Sequence, residues 1–563
     1  MAKKWRDVNG FYQIYPRSFK DSNGDGVGDL RGVIDKLDYI KGGDNSLGID
    51  AIWFSPFYPS PQADMGYDVA DYCDIDPIFG SLDDFKELVE KAHARDIKVM
   101  VDFVPNHTSN QHPWFVESQS SKDNDKNDFY VWRDAKPDGS EPNNWLSTFG
   151  GSAWQWHEGR QQYYLHTFLK EQPDLNWDNP AVRFEMKKVL RFWLDLGVDG
   201  FRADAVRWIS KDPELRDDPV AECYRGKKPP TQFDDLQHKY SRFWDNLFPY
   251  LRELTDIVAS YPNRIMVFED YPDENYSTSE QYLGFYGVNP KVSMPFNFEG
   301  LNAKFNAKSI STIVNEFQGM INPDMHTPVY CFSNHDQSRI ITRFGGEEQA
   351  RLIALMQLTL PGLPVVYYGD EIGMSNGPIR FEEIQDKSVF SHGNDESVGR
   401  DPERTPMQWT AGRNAGFSTA KPWLPVNPNC QNVNVELELN EPDSFLALYR
   451  RLLMLRSRYE ILRTGEYEPL SDLGKNIFAY ARWIGKEQHV FIALNFNNSK
   501  HRVTLPHAGS ILCATHPIDY PDISEDGSVE LRPYEGVLVE CSKHRLSAVG
   551  RSEERRVGKE CRS

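Results

Sequence analysis

The chemistry-bearing residues of this chain stand at the ends of short apolar runs. Asp102, Asn106 and His107 close one run, Arg202 and Asp204 another, Glu269 a third, and His335 with Asp336 a fourth. Taken singly, each has a structural explanation, such as an Asp capping a helix. Taken together, carboxylates and histidines recurring at equivalent strand ends supply the proton-transfer and nucleophilic groups of a catalytic centre. Asp270 directly follows Glu269 and competes for the same acidic role. Successive strand residues face opposite sides, so only one of the two can point into such a centre.

These groups need a frame that brings distant strand ends to one place. The runs GFYQIYP (10–16), IDAIWFSP (49–56), IKVMVDFVPNH (97–107), VDGFRADAV (198–206), IMVFED (265–270), KVSMPFN (291–297), TPVYCFSNHD (327–336) and PGLPVVYYGDE (361–371) read as buried parallel strands. Amphipathic patterns such as LDDFKELVEKAHARD (82–96) and AVRFEMKKVLRFWLDLG (181–197) lie between them, the second opening after Pro180 and closing at Gly197. This alternation predicts an α/β fold, a (β/α)8 TIM barrel formed by residues 1–107 and 179–462, whose catalytic groups come from the C-terminal strand ends. Residues 108–178, rich in Trp, Asn, Gln and His, read as a loop-rich subdomain inserted after the third strand and overhanging that face. After a long helix at 444–459, alternating segments predict a C-terminal all-β sandwich domain over 463–543.

Within this frame the chain resembles glycoside hydrolase family 13, the α-amylase superfamily, from about residue 5 to about residue 540. The segments that carry the resemblance run in order: DFVPNH (102–107), QPDLNW (172–177), GFRADAV (200–206), FEDY (268–271) and FSNHDQ (332–337). The resemblance implies Asp204 as nucleophile, Glu269 as general acid/base, and Asp336 as the carboxylate that orients sugar hydroxyls and stabilises the transition state. Glycosidic cleavage through an oxocarbenium-like state wants this division of labour, with the two reacting carboxyls about 5–5.5 Å apart if configuration is retained. Arg202, two residues before Asp204, points to the same strand face and is expected to keep Asp204 ionised. The surroundings of Glu269 should instead raise its pKa.

Further matches imply the residues that hold the sugar in the −1 subsite: Asp64, Tyr67, Asp102, His107, His335 and Arg400, with Phe168 and Gln172 as candidate walls. Tyr67 would stack on the sugar while Asp64 and Arg400 hold its far hydroxyls, closing the pocket and implying exo-action. Near the N-terminus, DSNGDGVGD places Asp21, Asn23, Asp25 and Asp29 at alternating positions, and Val27 can offer its carbonyl. Such oxygens suit a hard cation, as in the first part of an EF-hand loop, although Gly32 stands where the bidentate Glu would be. The loop resembles the Ca²⁺ or Mg²⁺ loop of oligo-1,6-glucosidase-like members; the other reading is an Asx-turn loop without metal.

That loop, QPDLNW and RTPMQW point to the oligo-1,6-glucosidase/α-glucosidase-like branch. The implied activity is that of a retaining, exo-acting α-glucosidase on short oligosaccharides. Trehalose synthase, sucrose isomerase and trehalose-6-phosphate hydrolase are the rival readings within the family. In the branch, the residue after the nucleophile is commonly Val in α-1,6-cleaving and Thr in α-1,4-cleaving members; here it is Ala205, which leaves linkage open. A non-catalytic binding subunit, the reading from another class, is disfavoured by the full carboxylate set.

Composition bounds the partners. A net charge of −20 disfavours nucleic acid and anionic membranes, and no run of about 18 apolar residues occurs. Seven scattered cysteines without CxxC spacing suggest neither a disulfide framework nor a zinc site. The expected protein is cytoplasmic, a monomer or homodimer acting on small α-glucosides, with no organic cofactor. The last thirteen residues (551–563) resemble the translation of a sequencing-library adapter and are set aside.

Overall fold

Runs too apolar to leave either face in water close on one another. In the computed structural model, eight parallel strands form a closed barrel: β1 (Phe11–Ile14), β2 (Ala51–Phe54), β3 (Lys98–Phe103), β4 (Gly200–Ala203), β5 (Ile265–Phe268), β6 (Ser293–Asn297), β7 (Val329–Cys331) and β8 (Leu363–Tyr367). Neighbours pair in chain order, and Phe11 of β1 aligns with both Ala51 and Val365, which closes the ring. Phe11, Trp53, Met100, Val267, Phe296 and Val365 fill the interior. The structure describes residues 3–541 apart from 223, 225, 227–228, 274, 486–487 and 518–525, so the 551–563 tail lies outside the described residues.

The strands are shorter than the apolar runs that predict them, and the difference carries function. β3 stops at Phe103, so Asn106 and His107 lie on the turn beyond it; Asp204 and Glu269 are the first residues past β4 and β5. The helix Leu82–His93 opens with a capping box between Ser81 and Asp84. The helix Pro180–Asp195 includes Pro180 as its first residue, one position earlier than the pattern suggests, because proline needs no N–H partner there. Gly197 follows at φ +100°, a left-handed stop that glycine adopts without strain.

Residues 108–178 contain the helix Pro113–Ser118 and a small antiparallel sheet in which Gln162–Leu165 lies between Trp132–Arg133 and Trp154–His157. Past the helix Phe445–Arg458 come β9 (Glu466–Leu470), β10 (Ile477–Ile484), β11 (Gln488–Asn495), β12 (His501–Thr504), β13 (Gly509–Ala514), β14 (Ser528–Leu531) and β15 (Gly536–Cys541). They form a five-stranded sheet in the order β9-β10-β11-β15-β13 and a two-stranded sheet of β12 with β14. Ala479, Phe491, Val503 and Leu531 pack the two together. Among the described residues no helix is long and apolar enough to cross a membrane. Cys73, Cys331, Cys430, Cys513 and Cys541 are free thiols.

One buried cation ties the segment leading into β1 to the helix Phe445–Arg458. Arg456 is fully buried and donates to the carbonyls of Asn9 (2.8 Å), Leu358 (3.1 Å), Leu360 (2.8 Å), Leu462 (2.6 Å) and Gly362. Arg456→Met would fill similar volume but strand these acceptors away from water. It should destabilise the fold by about 3 kcal/mol or more, read as a lowered urea or thermal midpoint; an unchanged midpoint would show that the carbonyls find other partners.

Candidate active site

β3, β4 and β5 run side by side with Asp102 in register with Arg202, and Arg202 with Val267. That register puts one guanidinium among three carboxylates. Arg202 reaches Asp102 at 2.9 Å, Asp204 at 2.5 Å and Glu269 at 2.9 Å, with its side chain 1% exposed. Asp102 also accepts from the Trp53 indole (2.6 Å) and the Tyr67 hydroxyl (2.8 Å), and burial pushes its carboxyl up to about 6.

Glu269 and Asp270 both lie past the end of β5 and both border the cavity, but their carboxyls take different partners. Glu269 Oε2 accepts from the Ala205 amide at 2.7 Å as well as from Arg202. Asp270 turns away to Arg207 (2.6 Å) and the Gln281 amide. The expected protonation differs, however. Burial pushes Asp204 well above its ordinary range; Arg202 opposes this, but the charge of Glu269, which hydrogen-bonds Asp204, adds to the rise. Arg202 is shared among three acids, so it does not hold Asp204 ionised by itself.

The third carboxylate behaves oppositely. Burial would raise Asp336, but His335, Arg404 and Arg400 outweigh it and hold the group well below the usual carboxylate range. Arg404 reaches Asp336 Oδ1 at 2.8 Å and Arg400 reaches it at 3.3 Å. His335 is buried and lowered to about 3, hence neutral. Its Nδ1 faces the Gln13 amide nitrogen at 2.8 Å, so Nε2 carries the proton, directed at the Tyr67 hydroxyl (2.6 Å) and Asp336 (3.3 Å). Tyr67 stacks on the His335 ring at 5.4 Å.

Arg400 also reaches Asp64 (2.8 Å), which accepts from Gln172 (3.0 Å); the Gln172 amide nitrogen in turn meets His107 Nε2 at 3.0 Å. Burial lowers His107 to about 4. Phe168 packs 5.0 Å from the His107 ring. A cavity of about 670 Å³ brings Asp64, Tyr67, His107, Phe168, Asp204, Glu269, Asp336 and Arg400 onto one surface. Asp102, Gln172, Arg202 and His335 stand behind that surface and position it.

With this geometry in view, the relationships of the chain are plain. The model of the alpha-amylase catalytic domain matches residues 13–465. The chain belongs to the α-amylase family. It is a glycoside hydrolase. An oligo-1,6-glucosidase of Bacillus cereus is 39% identical over 96% of this chain and 99% of its own length. A trehalose-6-phosphate hydrolase of Escherichia coli (strain K12) is 40% identical over 86% of this chain and 89% of its own. The crystal structure of the alpha-glucosyl transfer enzyme XgtA superposes with a TM-score of 0.86 at 38% identity, covering 95% of this chain and 99% of that one.

Several residues of this α-amylase-family site escape sequence reasoning. Arg404 lies four residues beyond Arg400 on the turn Asp401–Arg404, a spacing that could have flagged it. Asp386, which holds Arg400, lies in no recognisable motif. The 213–240 segment contributes Phe233, Leu236 and His238 to the cavity, joined by Trp208 and Arg242. The Asp21–Asp29 loop lies apart from the cavity. Asp21 accepts from the amides of Asn23, Gly24 and Gly26, and Asp29 caps Gly32 at 2.7 Å, so Asx turns close the loop. Among the described residues no three His, Cys, Asp or Glu side chains gather at metal-ligating spacing.

Glu403, beside Arg404, supplies a pH test. Burial raises it from 4.5 to about 8, so the folded protein keeps a proton that the unfolded chain releases. Its contribution to stability is complete below the unfolded value and is lost as pH rises through about 8. The thermal midpoint of Glu403→Gln should therefore fall less than the wild type's between about pH 5 and 9; parallel profiles would show that Glu403 is ionised in the fold.

Proposed function

We propose that the chain is a retaining, exo-acting α-glucosidase that releases terminal glucose from short oligosaccharides of the maltose and isomaltose type. The observation that carries this reading is the meeting, in one cavity, of Asp204 and Glu269, bridged by Arg202 at 2.5 and 2.9 Å, with the ion pair Asp64–Arg400 at 2.8 Å. The close approach of the two acids fits a retaining pair, since an inverting pair stands about 6.5–9.5 Å apart to admit water. The Asp64–Arg400 pair would cap the far end of the sugar and limit attack to the chain terminus.

In this mechanism Asp204 attacks C1 while Glu269 gives its proton to the departing oxygen, and a covalent glucosyl-enzyme forms. Glu269 then takes a proton from water, which attacks C1 and frees Asp204. For the first step Glu269 must carry a proton and Asp204 must be ionised. A sugar oxygen beside Glu269 would accept a hydrogen bond from that proton and hold it there. Asp336, kept ionised by Arg400 and Arg404, offers charge to the developing oxocarbenium ion. Transfer to a second sugar in place of water would be the alternative fate of the intermediate.

Beyond the bond to be cleaved, Ala205 offers only a methyl group, which suits either an α-1,4 or an α-1,6 linkage. Arg207 and Arg242 line the same cavity but pair with Asp273 at 3.1 Å each, and Arg207 also with Asp270. Among the described residues this favours a neutral acceptor over a phosphorylated one. Incubation with maltose, isomaltose, sucrose, trehalose and trehalose-6-phosphate, followed by NMR, should show α-glucose released first from maltose or isomaltose. β-Glucose first would overturn retention, and isomerised disaccharide without free glucose would overturn hydrolysis. Asp204→Asn should lower kcat by at least about 10³-fold.

The 21–29 loop is proposed to hold Ca²⁺ or Mg²⁺. Its donors, three carboxylates, the Asn23 amide oxygen and the Val27 carbonyl, are all hard oxygens. EDTA should lower the thermal midpoint and added Ca²⁺ or Mg²⁺ restore it; a midpoint indifferent to both would favour the Asx-turn loop alone.

A further inference from the structure

Arg400 can cap the sugar only if its guanidinium is held open. It faces two acids on the cavity, Asp64 at 2.8 Å and Asp336 at 3.3 Å, and a flexible arginine left to itself would collapse into a two-pronged bond with one of them. A third acid, absent from the cavity wall, prevents this. Asp386 is 2% exposed and takes the Nε–Nη2 edge of the guanidinium, sharing Nη2 with Asp64: Oδ2 accepts from Nε at 2.7 Å and Oδ1 from Nη2 at 2.9 Å. Oδ2 also accepts the main-chain amide of Arg400 at 3.0 Å, so backbone and side chain are fixed by one carboxylate.

The carboxylate is itself anchored. Asp401 Oδ2 accepts the amides of Gln385 (2.6 Å) and Asp386 (3.0 Å), tying that loop to the turn that carries Arg400 and Arg404. Asp386 Oδ1 caps the short helix Lys387–Ser391 through the Ser388 amide at 3.0 Å. We infer that Asp386 is a positioning residue for the −1 pocket: it locks Arg400 so that Nη2 serves Asp64, Nη1 only grazes Asp336, and neither cavity acid is closed off from sugar hydroxyls by a two-pronged bond. Asp386 touches no substrate and acts through Arg400. This inference rests on the α-glucosidase reading above.

Asp386→Asn keeps the shape and the helix cap but removes the charge and one acceptor from the clamp. Contacts to far hydroxyls act on ground state and transition state alike, so their loss appears in KM. For 4-nitrophenyl α-glucopyranoside, KM should rise about tenfold, the inhibition constant of free glucose should rise in parallel, and kcat should stay within about threefold. Asp386→Glu, which keeps the charge but displaces it by one methylene, should raise KM in the same sense, with its thermal midpoint measured alongside. In the Arg400→Ala background, Asp386→Asn should add nothing further, because the residue it positions is gone. Additive effects in the double variant, or an unchanged KM in both single variants of an active enzyme, would overturn the inference. A wild type that binds neither glucose nor the glucoside would overturn the α-glucosidase reading together with it.

Discussion

The site depends on one buried guanidinium. Arg202 is desolvated at the centre of the barrel mouth, with the rings of Trp53 and Tyr67 5.5 and 5.7 Å from its charge, and such a cation persists only if it is paired. Three carboxylates answer it, more negative charge than one cation can balance. Burial accordingly pushes Asp102 and Asp204 above the ordinary carboxylate range before any substrate enters. Because Asp102, Arg202, Asp204 and Glu269 sit on or one residue beyond adjacent strands, the parallel register of β3, β4 and β5 sets their geometry. A one-residue slip in that register would turn Arg202 out of the site.

A second ionic cluster is built by different means. Asp64, Asp336 and Asp386 face Arg400 and Arg404, and all five lie beyond strand ends. No ladder of main-chain hydrogen bonds fixes them, so side chains must fix one another. Hence the redundancy of the cluster: Asp401 holds the loop that holds Asp386, while Arg404 spans the His335 carbonyl (2.7 Å) and Asp336. The division suits the chemistry proposed for each half. The groups proposed to react stand one residue past rigid strands, and those proposed to hold the far end of the sugar stand on loops.

The frame was readable because burial on both faces leaves continuous apolar runs, and strand ends are where such runs turn polar. Alternation does not separate Glu269 from Asp270, since both fall past the last paired residue of β5; the pairing of Asp270 with Arg207 does. Where the strands would stop was less legible, since the apolar composition of 97–107 continues past the last paired residue, Phe103. Asp386 left no mark in the sequence, because its pairing with Arg400 joins two loops that only the closed fold brings together. The upward shift of Asp204 was likewise invisible, depending on how three acids divide one cation in space rather than on the identity of residue 202.

Ala205 links the two functions of the site that sequence treats separately. It is non-glycine in the left-handed region, at φ +48° and ψ +36°, a conformation that costs of order 1–3 kcal/mol and persists only where the surroundings impose it. The turn aims its amide at Glu269 Oε2, fixing one carboxyl by the residue that follows the other. A β-branched residue would strain this conformation more than alanine does. The methyl group therefore lightens the strain of orienting Glu269 and, in the same atoms, leaves the cavity wide just beyond the bond to be cleaved. Side-chain size at this position is thus coupled to acid geometry as well as to acceptor fit, and the two cannot be tuned independently.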